Sequence, residues 1–143
     1  MSDMTTYQAG VAQAAAYRNL NKLFSTLLKS HGLTSMQWFV LGTIYDSGDD
    51  GIQLTQLSAK LQTGLPFITN TINMLESKGM VERKGSLTDS RSKSVSIRQE
   101  FKLDCEQIEA DLRARMRESV YNDISRRELD DYIKVLHKLS QLR

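Results

Sequence analysis

The stretch that decides the fold is residues 54–98, LTQLSAKLQTGLPFITNTINMLESKGMVERKGSLTDSRSKSVSIR. The apolar spacing of Leu54–Leu61 predicts a short amphipathic helix, and a glycine turn separates it from a second helix over 67–78. Pro66 suits the first turn of that second helix, and a glycine suits its end. A basic two-stranded hairpin is predicted after it, with strands near residues 80–84 and 94–98. A helix-turn-helix followed by a charged hairpin is a shape that binds DNA.

Helices are also predicted on both sides of this stretch. A first helix should run over 7–30, and a capping box with Thr34 as N-cap should open the next one. Apolar residues at steps of three and four over 101–116 predict a long amphipathic helix. A second capping box, with Ser125 as N-cap, should open the last helix. A short strand that pairs with the hairpin is predicted after the second helix, at Ile52 and Leu54.

Length and composition indicate one ordinary soluble domain, and the predicted helices and hairpin make it mainly α. The chain has 143 residues, of which 40% are hydrophobic and 25% charged. We expect no membrane segment, because no apolar run approaches the ~20 residues that a span needs. The start of the chain lacks the basic and apolar regions of a signal peptide. The single cysteine, Cys105, excludes an internal disulfide framework, so the cytoplasm is the expected location.

The positive charge is concentrated on the helix-turn-helix and hairpin. Residues 51–103 hold 8 Lys and Arg against 4 Asp and Glu, a net charge of +4, whereas each flank has a net charge of −1. Such an excess is either a solvated surface or a footprint for phosphates. Its coincidence with the helix-turn-helix favours the footprint.

The flanking helices predict a dimer. Residues 33–98 can bury a core of their own as a winged helix-turn-helix domain. Residues 1–32 and 99–143 carry further apolar stripes, which a partner chain would cover better than they can cover one another. We therefore expect a helical dimerisation region and an isologous homodimer. The alternative is a monomer with a three-helix cap.

Three linked motifs resemble the MarR (multiple antibiotic resistance) family of transcriptional regulators. Residues 33–41, LTSMQWFVL, are similar to the family's "LTxxQWxVL" opening. Residues 68–83, ITNTINMLESKGMVER, are similar to its "VTRxIxxLExKGLVxR" stretch, and residues 89–97, DSRSKSVSI, to its "DxRxxxVxL" wing. The resemblance implies a dimeric winged helix-turn-helix regulator of pseudo-palindromic operators. Many members are repressors released by small phenolic or amphipathic ligands, or by thiol oxidation.

The second helix of the motif is predicted to lie in the major groove. Phe67, Ile68, Ile72 and Leu75 should pack inward, which leaves short polar side chains to reach bases or phosphates. Asn70 stands where the family often has arginine, and asparagine favours adenine, or a phosphate, rather than guanine. By resemblance to the family, Arg91 enters the minor groove or clamps its phosphates, with Asp89 orienting it. The predicted DNA contacts are Thr55, Ser58, Pro66, Thr69, Asn70, Thr71, Asn73, Arg83, Lys84, Asp89, Arg91 and Lys93.

The family resemblance also implies an effector pocket. Its candidate lining is Arg18, His31, Trp38 and Tyr45. The alternative is that Trp38 and Tyr45 belong to the core, and it is the better supported of the two.

Other functions find less support in the sequence. Cys105 lies on an apolar stripe, where packing explains it better than redox sensing does. Neither histidine has a second ligand at i+3 or i+4, so no metal or other cofactor is expected. No catalytic constellation is present, so we do not expect an enzyme. The remaining alternative is a winged-helix module that has lost DNA reading and binds a protein partner.

Overall fold

The computed structural model describes residues 3–85 and 94–142, which form six α-helices and a two-stranded hairpin. The helices are α1 (Thr6–Lys29), α2 (Ser35–Asp46), α3 (Leu54–Leu61), α4 (Leu65–Ser77), α5 (Gln99–Ser119) and α6 (Arg126–Ser140). The strands are β1 (Val81–Lys84) and β2 (Ser94–Ile97), and Tyr121–Asp123 form one 3₁₀ turn between α5 and α6.

Side-chain caps fix where three of the helices begin. Both predicted capping boxes are confirmed, at Thr34 before α2 and at Ser125 before α6. A third capping box at Thr5 opens α1. In each box the hydroxyl accepts from the backbone N–H three residues on, and the glutamine or glutamate there accepts from the cap's own N–H. Helix α4 begins two residues before the predicted start, with Pro66 in its first turn.

The hairpin is antiparallel, and a third segment joins it by a single bridge. Val81 pairs with Ile97 at one end and Lys84 with Ser94 at the other. Ile52 exchanges backbone hydrogen bonds with Val95, as predicted. The prediction of Leu54 in the same strand is wrong, because Leu54 is already the first residue of α3.

The chain divides into two compact units at Gln107 and Ile108. In the first unit the core lies among α2, α3, α4 and the hairpin, and the end of α1 is added to it at Leu28. Phe24 of α1 also meets Phe39 of α2 edge-on, with ring centroids 6.0 Å apart. The fully buried side chains of this core include Leu28, Val40, Leu41, Ile44, Leu57, Ile68, Ile72, Leu75, Val81 and Val95.

The second unit contains the rest of α5 and α6. In the predicted apolar stripe of α5, four residues are buried: Cys105 in the first unit and Ile108, Leu112 and Met116 in the second. Phe101, the first residue of the stripe, is only half-buried. The apolar side of α6 is different, since each of its large side chains from Tyr132 to Leu139 leaves at least 38% of its surface exposed. The division of the chain into residues 33–98 and a separate dimerisation region stays a prediction. None of the helices in the described parts of the chain is long and apolar enough to cross a membrane.

Candidate nucleic-acid interface

A tight turn between α3 and α4 fixes the direction of α4. Gln62 ends α3 in the left-handed region, at φ 51°, which is uncommon for a residue other than glycine. The Ser58 hydroxyl donates to the Thr63 carbonyl across this turn, and the Thr63 N–H returns a bond to the Ser58 carbonyl. Gly64 then serves as N-cap of α4. These contacts make Ser58 part of the turn, so its hydroxyl is already engaged where a phosphate contact was predicted.

The inward face of α4 is made by Ile68, Thr71, Ile72 and Leu75. Their spacing of i, i+3, i+4 and i+7 is that of one helix face. Two predictions are therefore wrong. Thr71 is buried and donates its hydroxyl to the Phe67 carbonyl at 2.9 Å, so it does not face outward to DNA. Phe67, predicted to pack inward, lies outside this stripe and is 45% exposed.

The outward face of α4 carries small uncharged side chains. Pro66, Asn70 and Asn73 are exposed, and Thr69 is half-buried beside them. Two exposed apolar residues accompany them, Phe67 and the 46% exposed Met74. The sequence analysis assigned Phe67 to the core and gave Met74 no role, although the stripe of Ile68, Thr71, Ile72 and Leu75 excludes both from the core.

Arg83 of β1 is bound to α4. Its guanidinium donates to Glu76 Oε1 at 2.5 Å and to Asn73 Oδ1 at 2.7 Å. The Arg83 side chain is only 27% exposed. The sequence analysis predicts Arg83 as a DNA contact, but in this structure Arg83 links the hairpin to the outward side of α4. It does so partly by donating to the side-chain amide oxygen of Asn73.

The other predicted DNA contacts differ in their solvent exposure and in their charged neighbours. Thr55 is exposed in the first turn of α3. Lys84 is exposed at the end of β1, with Glu82 3.7 Å from its ammonium group. The predictions for Asp89, Arg91 and Lys93 fall on residues outside those that the structure describes.

The predicted pocket residues occupy different environments. Arg18 is exposed on α1, whereas His31 and Trp38 are half-buried. The core interpretation is wrong for Tyr45, which is 37% exposed and donates its hydroxyl to Glu106 Oε2 at 2.5 Å. This hydrogen bond, with smaller contributions from desolvation and from the charge of Glu106, raises the pKa of the Tyr45 phenol. Within residues 3–85 and 94–142, no three His, Cys, Asp or Glu side chains group as metal ligands would.

Helices α2 to α4, the tight turn between α3 and α4 and the hairpin packed against them define a winged helix-turn-helix protein. The MarR family model matches residues 33–93. The HTH-type transcriptional regulator MhqR of Bacillus subtilis (strain 168) is 32% identical over 81 residues. That match covers 57% of this chain and 54% of MhqR, so it spans about half the length of the relative.

Two solved structures share the fold over nearly the whole chain. Staphylococcus aureus MarR in complex with salicylate and kanamycin has a TM-score of 0.79 at 20% identity, covering 97% of this chain and 92% of that one. A mutant of E. coli MarR complexed with operator DNA has a TM-score of 0.75 at 22% identity, covering 91% of each chain. The chain is thus similar to MarR-family transcription regulators over residues 33–93 and shares the fold of these solved structures.

Proposed function

We propose that this protein is a cytoplasmic, dimeric regulator that binds pseudo-palindromic operators and represses transcription until a small phenolic or amphipathic ligand releases it. The observation that carries the proposal is the outward face of α4. It presents Asn70 and Asn73 to solvent, with half-buried Thr69 beside them, on a helix whose inward face is buried in the core. A helix of this kind fits the major groove, because small uncharged groups allow close approach and still reach base edges. The E. coli relative complexed with operator DNA supports this use of the fold.

Dimer formation is supported by apolar surface that one chain leaves exposed. On α6 the exposed residues are Tyr132, Ile133, Val135, Leu136 and Leu139. Near the start of the chain, Met4, Tyr7 and Val11 are exposed as well. Exposed apolar surface of this kind on a helix of a small protein is usually an interaction site. An isologous dimer would cover the same surface on both chains and would present two α4 helices to two half-sites.

Release by a small molecule is supported by one comparison and by chemistry near α2. The S. aureus relative is in complex with salicylate, a phenolic acid. In this chain Trp38 and His31 are half-buried near the ends of α2 and α1, and both can contact an aromatic ligand. We therefore propose the first half of α2 and the end of α1 as the region that senses such a ligand.

Binding to duplexes selected from a random library tests the first part of the proposal. The apparent Kd should rise steeply with salt, as it does for proteins that neutralise several phosphates. A protein-interaction module would show no such binding. Addition of salicylate should weaken binding to the selected duplex, and unchanged affinity at millimolar salicylate would contradict release by this class of ligand.

Light scattering tests the dimer independently. The chain mass is 16.2 kDa, so the dimer should be a particle of about 32 kDa. Leu136→Asp places a charge on the apolar face of α6 and should give the monomer, while Asp131→Asn on the same helix is a matched control. A wild-type particle of monomer mass would contradict the dimer.

A further inference from the structure

Helix α4, the helix proposed to enter the major groove, contains no cation. Over Leu65–Ser77 the only charged residue is Glu76. The first cation after it, Lys78, donates its ammonium group to the Gly32 carbonyl at 3.0 Å. Guanine is most often recognised by arginine or lysine at its O6 and N7 atoms. Helix α4 therefore lacks the arginine or lysine that usually recognises guanine.

The two exposed asparagines of α4 are not equivalent. Bidentate recognition of adenine uses the whole amide: the oxygen accepts from N6 and the nitrogen donates to N7. The side-chain oxygen of Asn73 already accepts a hydrogen bond from the Arg83 guanidinium at 2.7 Å, which orients this amide towards the hairpin. In residues 3–85 and 94–142 no hydrogen bond occupies the side chain of Asn70, which is exposed. Asn70 therefore has both halves of its amide available.

Phe67 lies one helical turn before Asn70 on the same exposed side. Residues at i and i+3 are neighbours on a helix surface, with Cβ atoms about 5–6 Å apart. Phe67 is 45% exposed in the first turn of α4, the part of such a helix that meets base edges. Because Thr71 and not Phe67 lies on the inward face of α4, part of the phenyl ring of Phe67 stays exposed to solvent. An exposed ring at this position gains by contact with an apolar group of DNA, and the C5-methyl of thymine is the one that the major groove offers.

We propose that Phe67 and Asn70 together make α4 a reader of A·T base pairs. The Phe67 ring would contact a thymine methyl, and the Asn70 amide would bond to N6 and N7 of an adenine in a neighbouring pair. This inference rests on the proposed DNA-binding function and adds the base preference to it.

Base analogues test the two contacts separately. A consensus duplex is first selected from a random library with the wild-type protein. Each consensus thymine is then replaced by deoxyuracil, which removes only the methyl, and each adenine by 7-deazaadenine, which removes N7. The wild type should lose roughly fourfold in affinity at one thymine per half-site, the effect of losing one buried methyl group. Phe67→Ala should bind the consensus duplex and the deoxyuracil duplex with equal affinity. The affinity of Asn70→Ala should be unchanged when one adenine is replaced by 7-deazaadenine.

Matched variants control for stability and for the neighbouring amide. Leu103→Ala removes an exposed apolar side chain of α5, 63% exposed, and should keep the full response to deoxyuracil. Asn73→Ala should keep the response to 7-deazaadenine. Phe67→Leu retains apolar contact and should keep part of the methyl effect.

Three results would overturn the inference. A consensus duplex with G·C pairs at the positions that Phe67 and Asn70 contact would overturn the inference and leave the proposed DNA binding intact. A wild type that ignores deoxyuracil at every thymine would overturn it without any variant. Absence of salt-dependent binding to any duplex would overturn both the inference and the proposed function.

Discussion

Replacing Arg83 should weaken the fold and leave the electrostatic part of DNA binding unchanged. Arg83 bridges Glu76 and Asn73 with bonds of 2.5 and 2.7 Å, so its charge is used within the protein. We predict that Arg83→Met lowers the free energy of unfolding by about 1 kcal/mol. For a chain of this length that loss lowers Tm by about 3 °C.

The magnitude follows from the exposure of the pair. The Arg83 side chain is 27% exposed and that of Glu76 41%, so water screens their attraction. Exposed ion pairs contribute roughly 0.2–1 kcal/mol, and a guanidinium that holds two acceptors on one helix belongs near the top of that range. The bond to Asn73 adds a charge-assisted hydrogen bond whose partner is also exposed.

A double-mutant cycle of Arg83→Met and Glu76→Gln measures the pair directly. Urea unfolding at one fixed protein concentration should give a coupling energy of about 0.5–1 kcal/mol. Lys84→Met is the matched control, because the ammonium of Lys84 is 3.7 Å from its carboxylate partner and the loss should be smaller. In parallel, the slope of log Kd against log salt should equal that of the wild type.

Either of two results would refute this reasoning. A coupling energy near zero would show that the two bonds do not stabilise the free protein. A salt slope reduced by about 1 would show that Arg83 leaves Glu76 and neutralises a phosphate when DNA binds.

Three further predictions follow from the described contacts. Thr71→Val should keep nearly full affinity for the selected duplex, because Thr71 is buried, whereas Asn70→Ala should weaken it by about 1–3 kcal/mol in a fluorescence titration. Gly51→Ala should destabilise by more than about 2 kcal/mol in urea unfolding, since φ is +78° and the new Cβ would lie 2.5 Å from a strand carbonyl. Gly48→Ala, with a similar φ but open space, should cost only about 1 kcal/mol. A lysine hydrogen bond lowers the pKa of Asp49 below 3.8, so its stabilisation is present above that pH and is lost as pH falls through the lowered value. Asp49→Asn should therefore make urea stability less dependent on pH below about 4.

Local signals in the sequence predicted the elements and their caps. The capping boxes at Thr34 and Ser125 are short-range features in which one hydroxyl and one long polar side chain satisfy free N–H groups. The spacing of three and four over α5 likewise predicted its buried stripe, including Cys105. Such signals depend on a few adjacent residues and so can be recognised without the fold.

The failures came where tertiary context decides the role of a side chain. Hydrophobicity alone assigned Phe67 to the core and Thr71 to the surface, but the geometry of α4 reverses them. A threonine is tolerated inside because its hydroxyl bonds to the carbonyl four residues earlier. Arg83 was likewise counted as a free cation, since its partners on α4 are seven and ten residues away in sequence.

The distribution of charge separates the residues that would recognise bases from those that would attract phosphates. Helix α4 has Glu76 as its only charged residue between 65 and 77, and Arg83 neutralises it. This part of the interface therefore adds little long-range attraction for phosphates. The net charge of +4 over residues 51–103 must act through cations outside α4, on α3 and around the hairpin. Variants of those cations should change affinity and salt slope on every sequence, whereas variants of α4 should change base preference at a constant slope.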